Sequence, residues 1–293
     1  MKFRGHETFA IRKGWLNKGI KNIKKEPGVF LGDAGNPMDV LGIGSNMVKS
    51  LRYWMLATNI SKEPNFGHRI QSLTELGKII DEHDPYLEEI GSLDLIHYEL
   101  ASNDDSATAW YIFFNEFNYT EFTEDDFHSS VKKYVRMNSD GELPSERSVS
   151  DDYKCIINTY YQRNNADKVN PEDNIGSPLT ELGLIDYLYA KSGNRYYKKV
   201  MIKEALLPDL IALAIIIKNA NGNKEIKIST LLNKSKSLGK VFNLDMVRII
   251  NILYRLEKKG YVKVIRTAGL DVVQIVTDKD YLDCIKEYYE TLE

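Results

Sequence analysis

The stretch that decides the fold class is NLDMVRIINILYRLEKKGYVKVIRTAGLDVVQIV, residues 243–276. Apolar residues at helical spacing follow Asp245, and this helix is predicted to end at Gly260. Two β-rich runs, 261–266 and 271–276, are separated by a short turn, which indicates a hairpin. A helix followed by a basic hairpin is typical of a winged helix, with the hairpin as its wing.

A related pattern occurs near the N-terminus. Residues 11–23 predict a weakly amphipathic helix, 36–42 a short second helix, and 46–57 a third helix that begins after Ser45. A short ribbon follows, and then the sequence LTELG at 73–77. In a winged-helix arrangement, the third helix would be the one offered to a major groove of DNA.

The region between these two patterns is predicted to be helical, with aromatic-rich buried faces and a hairpin around residues 192–194. LTELG recurs at 179–183, which hints at a third, diverged unit. We therefore predict a mainly α (α+β) protein of tandem winged-helix-like units with short β-hairpin wings. The predicted domains are an N-terminal DNA-binding unit (1–80), a helical middle domain (81–203) and a C-terminal winged helix (204–293).

Charge is strongly segregated along the chain, although the formal net charge is only −3. Residues 1–80 contain 13 Lys/Arg and 6 Asp/Glu, residues 81–130 contain no Lys/Arg and 14 Asp/Glu, and residues 221–269 contain 11 Lys/Arg and 3 Asp/Glu. Clustered positive charge favours a polyanion partner, because binding releases counterions from phosphates. Solvated helix faces of unequal sign would give the same counts, so charge alone leaves both interpretations open.

Several protein classes are disfavoured by the sequence. The longest apolar run, 210–217, has eight residues, whereas a membrane span needs roughly 20. The N-terminus has no apolar signal region, and Cys155 and Cys284 lack the spacing of a zinc site or a disulfide framework. We expect a cytoplasmic protein without a membrane-spanning segment.

Two motifs resemble enzyme signatures imperfectly. GSNMVKS, residues 44–50, differs from a phosphate-binding loop because Val48 occupies the position that requires glycine. Asp209, followed by Glu225 and Lys227, matches the pattern of metal-dependent nucleases. However, Pro208-Asp209 begins an apolar stretch that is typical of a helix start. We therefore predict a capped helix N-terminus at 44–50 and no nuclease centre at Asp209.

Basic and polar side chains in both end segments are candidates for DNA contacts. Helix N-termini and arginine side chains bind phosphates, and asparagine and arginine recognise base edges. Side chains on a solvated surface helix are the alternative. The predicted DNA-binding residues are Arg4, Lys13, Ser45, Asn46, Lys49, Arg52, Lys240, Arg248, Lys263 and Arg266.

Six blocks of the sequence resemble one bacterial family. The blocks are GHETF (5–9), RKGWL (12–16), LGIGSNMVKSLRYW (41–54), EHDPYLE (82–88), WYIFFNEF (110–117) and EDNIGSPL (172–179). This domain-of-unknown-function family is found in defence islands beside DNA phosphorothioation genes, and its best-known member type is the SspB nicking component. The resemblance implies a DNA-binding protein that acts with a cysteine desulfurase, an ATPase and an adenylating sulfurtransferase. It also implies that one DNA strand is nicked so that sulfur can replace a non-bridging phosphate oxygen.

Nicking would require an activated water and a stabilised leaving oxygen, which calls for carboxylates or histidine beside cations. The candidate catalytic residues, all near the predicted DNA helix, are His6, Glu7, Arg12, Asp33 and Asp39. Mg²⁺ or Mn²⁺ is the candidate cofactor, with its ligands unassigned. In the alternative interpretation of the arm, His6 and Glu7 satisfy buried backbone groups. The alternative function is a non-catalytic winged-helix assembly factor or transcriptional regulator.

Overall fold

The computed structural model describes residues 1–32, 35–64, 69–139, 141–161, 176–267 and 270–292. Within these ranges the chain consists of helices and three small antiparallel sheets, which confirms the α+β class. Buried apolar side chains from all three predicted domains belong to one continuous core. The domain boundaries themselves remain predictions. No helix in the described ranges is long and apolar enough to cross a membrane.

The N-terminal segment begins with an arm, residues 1–14, and its three predicted helices are present. Its elements are α1 (Trp15–Lys25), α2 (Pro37–Leu41), α3 (Ser45–Ala57), β1 (Ser61–Lys62), β2 (Ser72–Leu73) and α4 (Glu75–His83). The ribbon consists of only two residues in each strand. Thr74 accepts a hydrogen bond from the Gly77 amide, so the first LTELG sequence caps the start of a helix.

The middle segment is helical with one hairpin. Its elements are α5 (Ile90–Ala101), α6 (Thr108–Tyr111), a π-helical turn (Ile112–Glu116), β3 (Glu121–Phe122), α7 (Glu124–Asn138), α8 (Glu146–Tyr160), a 3-10 turn (Pro178–Leu182), β4 (Ile185–Lys191) and β5 (Asn194–Lys199). The sheet order is β3-β5-β4. The second LTELG sequence lies in the 3-10 turn before a strand, whereas the first begins a helix after a strand. The repeated pentapeptide therefore gives no support for a duplicated unit.

The C-terminal segment contains the predicted helix and hairpin. Its elements are a 3-10 turn (Glu204–Leu206), α9 (Asp209–Ala220), β6 (Glu225–Lys227), α10 (Ile228–Asn233), α11 (Leu238–Val241), α12 (Met246–Lys258), β7 (Val262–Thr267), β8 (Leu270–Ile275) and α13 (Tyr281–Glu290). The sheet order is β6-β8-β7. Asp245 caps α12 by accepting a hydrogen bond from the Arg248 amide.

Helix α13 connects the C-terminal segment to the rest of the chain. It packs on α9 and α4. The Tyr288 hydroxyl accepts a hydrogen bond from the Gly91 amide (3.1 Å), and the Tyr289 and Ser92 hydroxyls are 2.6 Å apart. A Cβ atom at position 91 would lie 2.5 Å from the Tyr288 ring, so glycine is needed at this crossing. The last helix thus packs directly against the start of α5.

Candidate nucleic-acid interface

A cleft of about 530 Å³ lies between the N-terminal arm and α3. The arm, the region around α2, the exposed side of α3 and Arg69 supply its lining. Its basic lining residues are Lys2, Arg4, Lys49, Arg52 and Arg69. Among the described lining residues, the one carboxylate is that of Glu7. The cleft therefore concentrates positive charge, as a binding site for an anionic polymer would.

A tight turn brings the arm to this cleft. Arg4, Glu7 and Thr8 have left-handed φ angles of 58°, 49° and 70°. Such angles cost of order 1–3 kcal/mol per residue, so the surrounding contacts must hold the turn in place. Gly5 packs so closely on Tyr53 that a Cβ atom would lie 2.5 Å from its ring. The turn places the side chains of Arg4 and Glu7 in the lining of the cleft.

His6 fastens the arm to the middle segment. Its side chain is fully buried, and Nε2 lies 2.7 Å from Oδ1 of Asp152 on α8. The Thr8 amide donates to Nδ1 (3.0 Å), so Nδ1 carries no proton and Nε2 is the donor to Asp152. Burial raises the pKa of Asp152, and hydrogen bonds from His6 and the Arg4 amide oppose that rise. His6 thus behaves as a positioning residue with both ring nitrogens engaged.

Arg52 is held in place by an acidic partner. Its Nε and Nη2 atoms each lie 2.6 Å from one carboxylate oxygen of Glu63. The Glu63 side chain is only 7% exposed and also accepts a hydrogen bond from Gln71 (3.2 Å). Because this carboxylate partly neutralises Arg52, Lys49 offers more available positive charge. Lys49 is exposed, and its amine contacts the Asn46 side chain at 3.4 Å.

Lys2 adds a partly buried cation to the cleft. Its amine lies 5.5 Å from the centre of the Tyr53 ring. Burial lowers the pKa of Lys2, and the Arg52 charge lowers it further, whereas Glu63 and Glu7 raise it. A phosphate placed between Lys2 and Arg52 would relieve this repulsion.

The structure does not gather the predicted catalytic residues in one place. Glu7 lines the cleft, but His6 points into the interior. The Arg12 guanidinium lies over two aromatic rings, 5.6 and 5.9 Å from their centroids. Asp39 is exposed on α2, and Asp33 lies outside the described residues. Of the four described residues, Glu7 is the one in the lining of the cleft.

Helix α3 offers little more than its beginning to a partner. Ser45, Asn46 and Lys49 are exposed in its first turns. Farther along, Arg52 and Leu56 are half-buried on the side that lines the cleft, and the other sides are buried. The Trp54 indole, for example, donates to the Phe9 carbonyl (3.1 Å). A helix embedded in this way cannot lie along a major groove. Contacts from α3 are limited to its N-terminal end and to the one side that lines the cleft.

Two of the predicted DNA-binding lysines contact the middle segment instead. The Lys13 amine lies 2.6 Å from the Glu181 carboxylate. The Lys240 amine donates to the Asn118 side chain, also at 2.6 Å. Both lysines join segments of this chain to each other, and they have less freedom to contact a phosphate than Lys49.

The remaining C-terminal candidates differ in their availability. Arg248 forms an ion pair with Glu204 (2.7 Å), and Arg266 pairs with Asp271 on the same hairpin (3.3 Å). Lys263 is exposed on β7. The hairpin β7–β8 therefore retains basic side chains, while Arg248 is paired with an acid of the 3-10 turn that precedes α9.

The exposed face of α12 contains residues that the sequence-based prediction missed. Val247 is 65% and Tyr254 is 47% exposed, and Asn251 and Lys258 are exposed on the same face. These positions follow helical spacing, so the signal was present in the sequence. The prediction selected charged residues and did not ask which side of the helix faces solvent. Unlike α3, α12 presents a continuous accessible face.

The residues present do not form a ready-made metal site. The described ranges contain no group of three or more His, Cys, Asp or Glu side chains that could hold a metal ion. Glu7 is the one acid among the described lining residues of the cleft. The Glu63 carboxylate already accepts hydrogen bonds from Arg52 and Gln71. The donor set therefore does not fit a protein-held Mg²⁺ or Mn²⁺.

The nuclease-like motif is structural. Asp209 opens α9, and its carboxylate pairs with Arg255 (2.7 Å) and Lys259 (2.8 Å) of the α12 region. Although burial raises its pKa, hydrogen bonds and charges from these two partners give a net lowered pKa. Asp209 is thus an ion-pair residue between two helices, in agreement with its prediction as a helix start.

Comparisons with known proteins agree with this architecture. The model of a family described as "Protein of unknown function (DUF4007)" matches residues 3–289. The solved structure described as "Magnesium ion-bound SspB crystal structure" is 27% identical, and "SspB crystal structure" is 26% identical. Each comparison has a TM-score of 0.83 and covers 99% of this chain and 88% of the other. No curated protein matches the chain. The chain belongs to the DUF4007 family.

Proposed function

We propose that this protein is the DNA-binding component of a phosphorothioation-type DNA modification and defence system. The observation that carries the proposal is the convergence of five basic side chains in the cleft between the arm and α3. The similarity to two SspB structures supports the phosphorothioation context. A cysteine desulfurase, an ATPase and an adenylating sulfurtransferase would then be its partners.

In this proposal the cleft holds the sugar-phosphate backbone of duplex DNA. Lys49 and Arg69 are exposed and supply the first contacts with phosphates. Arg4 pairs with Asp151 (2.6 Å) and Arg52 with Glu63, so these two contribute preset geometry more than free charge. Phosphate contacts of this kind fix the position of a protein on DNA without reading its sequence.

The helix α12 and the hairpin β7–β8 are proposed to form a second, winged-helix-like contact. Asn251 and Tyr254 lie on the accessible face of the helix, and Lys263 lies on the adjacent hairpin. An α-helix fits the major groove, where asparagine pairs with adenine. The N-terminal cleft would then supply affinity, and α12 would supply recognition of the sequence.

Strand nicking, if it takes place in the cleft, is assigned to Glu7. Its carboxylate can accept a proton from the attacking water, and the neighbouring Arg4 and Lys49 can stabilise negative charge on the phosphate. His6 would act indirectly by holding the arm on which Glu7 lies. The second candidate function is a non-catalytic assembly factor, which is favoured by the burial of His6 away from the cleft and by its bond to Asp152.

The proposal is tested by measuring duplex binding at several salt concentrations. The variant with Lys49→Glu and Arg69→Glu is expected to bind at least about 10-fold more weakly, with a shallower salt dependence by about 0.9 per lost phosphate contact. Lys133→Glu is the matched control, since Lys133 is exposed on α7 and is not among the cleft residues. Equal losses for both variants would show that the cleft is not the DNA site.

Nicking is tested separately with supercoiled plasmid, with and without Mg²⁺ or Mn²⁺. Open-circle product that is lost in Glu7→Gln, while duplex binding is retained, would establish the nickase. An intact plasmid together with salt-sensitive binding would leave the assembly factor as the function. The plasmid and binding assays thus distinguish catalysis from recruitment.

A further inference from the structure

The hairpin β4–β5 exposes aromatic side chains that the proposed function does not use. Tyr189 and Tyr196 are cross-strand partners, and their rings stack with centroids 4.9 Å apart and planes 16° apart. Tyr189 is 48% exposed. The hairpin therefore carries a planar aromatic pair that solvent can reach.

Strand geometry places basic side chains on the same face as this pair. Residues two apart along a strand point to the same side, so Lys191 shares the face of Tyr189, and Lys198 that of Tyr196. Lys191 is exposed, and no ion pair to it occurs among the described residues. Lys198 lies 3.5 Å from the Asp186 carboxylate. This outer face thus has two stacked rings with a lysine on either side.

The opposite face of the hairpin has a different character. Arg195 and Tyr197 belong to it, and both line a hollow of about 520 Å³. Glu124 and Asp125, at the start of α7, line the same hollow. Lys154 and Arg195 offset these carboxylates in the hollow. On the outer face, Asp186 and Glu121 both lie opposite Lys198, whereas Lys191 lies opposite the uncharged Asn194. The stacked rings are accessible on the outer face, whereas Tyr197 on the opposite face is buried, so a base has a stacking surface only on the outer face of the described hairpin.

We propose that the outer face of the hairpin binds single-stranded DNA. A base would stack on the Tyr189–Tyr196 pair, and the flanking phosphates would contact Lys191 and Lys198. Unpaired bases expose the faces that stack on aromatic side chains, and duplex DNA hides them, so this surface is suited to an opened strand. The two-residue turn Ser192-Gly193, with φ of 51° and 81°, joins the two strands, so the Tyr189–Tyr196 pair lies near the end of the hairpin. The inference does not depend on the cleft.

The test uses oligothymidylate of about 12 nucleotides with one central 2-aminopurine, whose fluorescence falls when the base stacks. The full chain is expected to bind and quench it. Tyr189→Thr keeps a strand-forming residue but removes the ring, and is expected to weaken binding at least fivefold. Tyr189→Phe retains the stacking surface and is expected to bind within about twofold of the original protein.

Two further variants complete the design. Tyr86→Thr removes a tyrosine that is 61% exposed elsewhere on the chain, and it is expected to leave binding unchanged. Lys191→Gln is expected to lower the salt dependence by about 0.7, the value for one phosphate contact with a single strand. If Tyr189→Thr also changes the circular dichroism spectrum, Tyr189→Phe and Lys191→Gln decide between stacking and unfolding.

The inference is overturned if the oligonucleotide does not bind, or if Tyr189→Thr binds it as well as the original protein does. It is also overturned if Tyr189→Thr and Tyr86→Thr weaken binding equally. The inference is supported if the Lys49→Glu, Arg69→Glu variant loses duplex binding but still binds the single-stranded oligonucleotide. Failure of the cleft proposal and failure of this inference therefore give different results.

Discussion

Two helices that were both predicted to contact DNA are built into the protein in different ways. Helix α3 is enclosed by the core on most sides, its fully exposed residues lie in its first turns, and only the side that lines the cleft stays partly accessible beyond them. Helix α12 buries Ile249, Leu253 and Leu256 on one side and exposes Val247 and Tyr254 on the other. An enclosed helix can position a phosphate site, whereas an amphipathic surface helix can follow a groove. Under the proposed function, the two ends of the chain would therefore contribute to DNA binding in different ways.

One buried histidine joins the N-terminal arm to the middle segment, and another joins the middle segment to the C-terminal segment. The first has a carboxylate as its partner, and the second has only uncharged partners. His6 contacts the Asp152 carboxylate and holds the arm of the cleft. His97 lies between the Tyr160 hydroxyl and the Val241 carbonyl, each 2.8 Å away, and so links α5 and α8 to α11. Burial lowers the pKa of His97 to about 4, since its hydrogen bond to Val241 only partly offsets the burial. The C-terminal attachment therefore requires a neutral ring.

The largest expected effect is that of His6→Ala. The substitution leaves the buried Asp152 carboxylate without its side-chain donor and removes the acceptor for the Thr8 amide. Asp152 keeps the Arg4 amide as a donor, so the lost hydrogen bonds and the cavity left by the ring together are expected to cost about 3 kcal/mol of unfolding free energy. Urea unfolding would measure this loss, and duplex binding should fall with it, because the arm lines the cleft.

Glu7→Gln is the matched control for His6→Ala. Glu7 lies in the same turn but faces the cleft, so its substitution should change the unfolding free energy by less than about 0.5 kcal/mol. If His6→Ala were as stable as the original protein and lost only nicking, His6 would be a catalytic residue after all. That result would remove the structural role argued for the N-terminal arm.

The next effect concerns acidification. His97 has a folded-state pKa below its unfolded value of about 6.5, so the neutral ring stabilises the fold above pH 6.5, and this contribution is lost as the pH falls toward 4. Between pH 7 and pH 5 we expect a loss of about 2 kcal/mol in the free energy of unfolding. Urea unfolding at several pH values would measure it.

His97→Gln serves as the comparison for this pH dependence. Gln has no ionisable group, so the variant should be less stable at pH 7 but should lose less stability between pH 7 and pH 5. Burial raises the pKa of Asp94 and of Asp152, and these groups are the same in both proteins, so the difference between the two curves isolates the contribution of His97. Parallel curves for the two proteins would show that the link between α5 and α11 does not sense protons.

Much of the fold, and less of the candidate site, could be predicted from the sequence. Apolar periodicity and the Gly260 break placed α12 and its hairpin, because these signals are local. The burial of α3 depends on the arm crossing it at Gly5 and on Trp54 bonding to Phe9, which are tertiary contacts. Likewise, nothing local indicates that His6 finds Asp152, which is 146 residues away.

The pairing of charges limited the site prediction in the same way. A basic residue counts as a candidate in the sequence whether or not an acid meets it in the fold. Arg248 and Lys240 were selected for charge, and the structure shows partners for both. The exposed Asn251 carried no charge signal and was missed. Helical spacing identifies the face of α12, but only the packing shows which face remains free.

The smallest expected effect sharpens the comparison between the two helices most directly. Asn251→Ala removes a side chain that can read adenine from the accessible face of α12, so it should relax one position of the sequence preference by about 1–3 kcal/mol. Selection from randomised duplexes would measure the preference. Arg248→Gln is the control on the same helix. Because Arg248 pairs with Glu204, this variant should keep the DNA sequence preference of the original protein. Lys49→Glu should weaken all sequences equally, since a phosphate contact carries no base information. If Asn251→Ala had no effect and Arg248→Gln altered the preference, the ion pair would have to open on DNA, and the face of α12 that reads the groove would be the one predicted from charge.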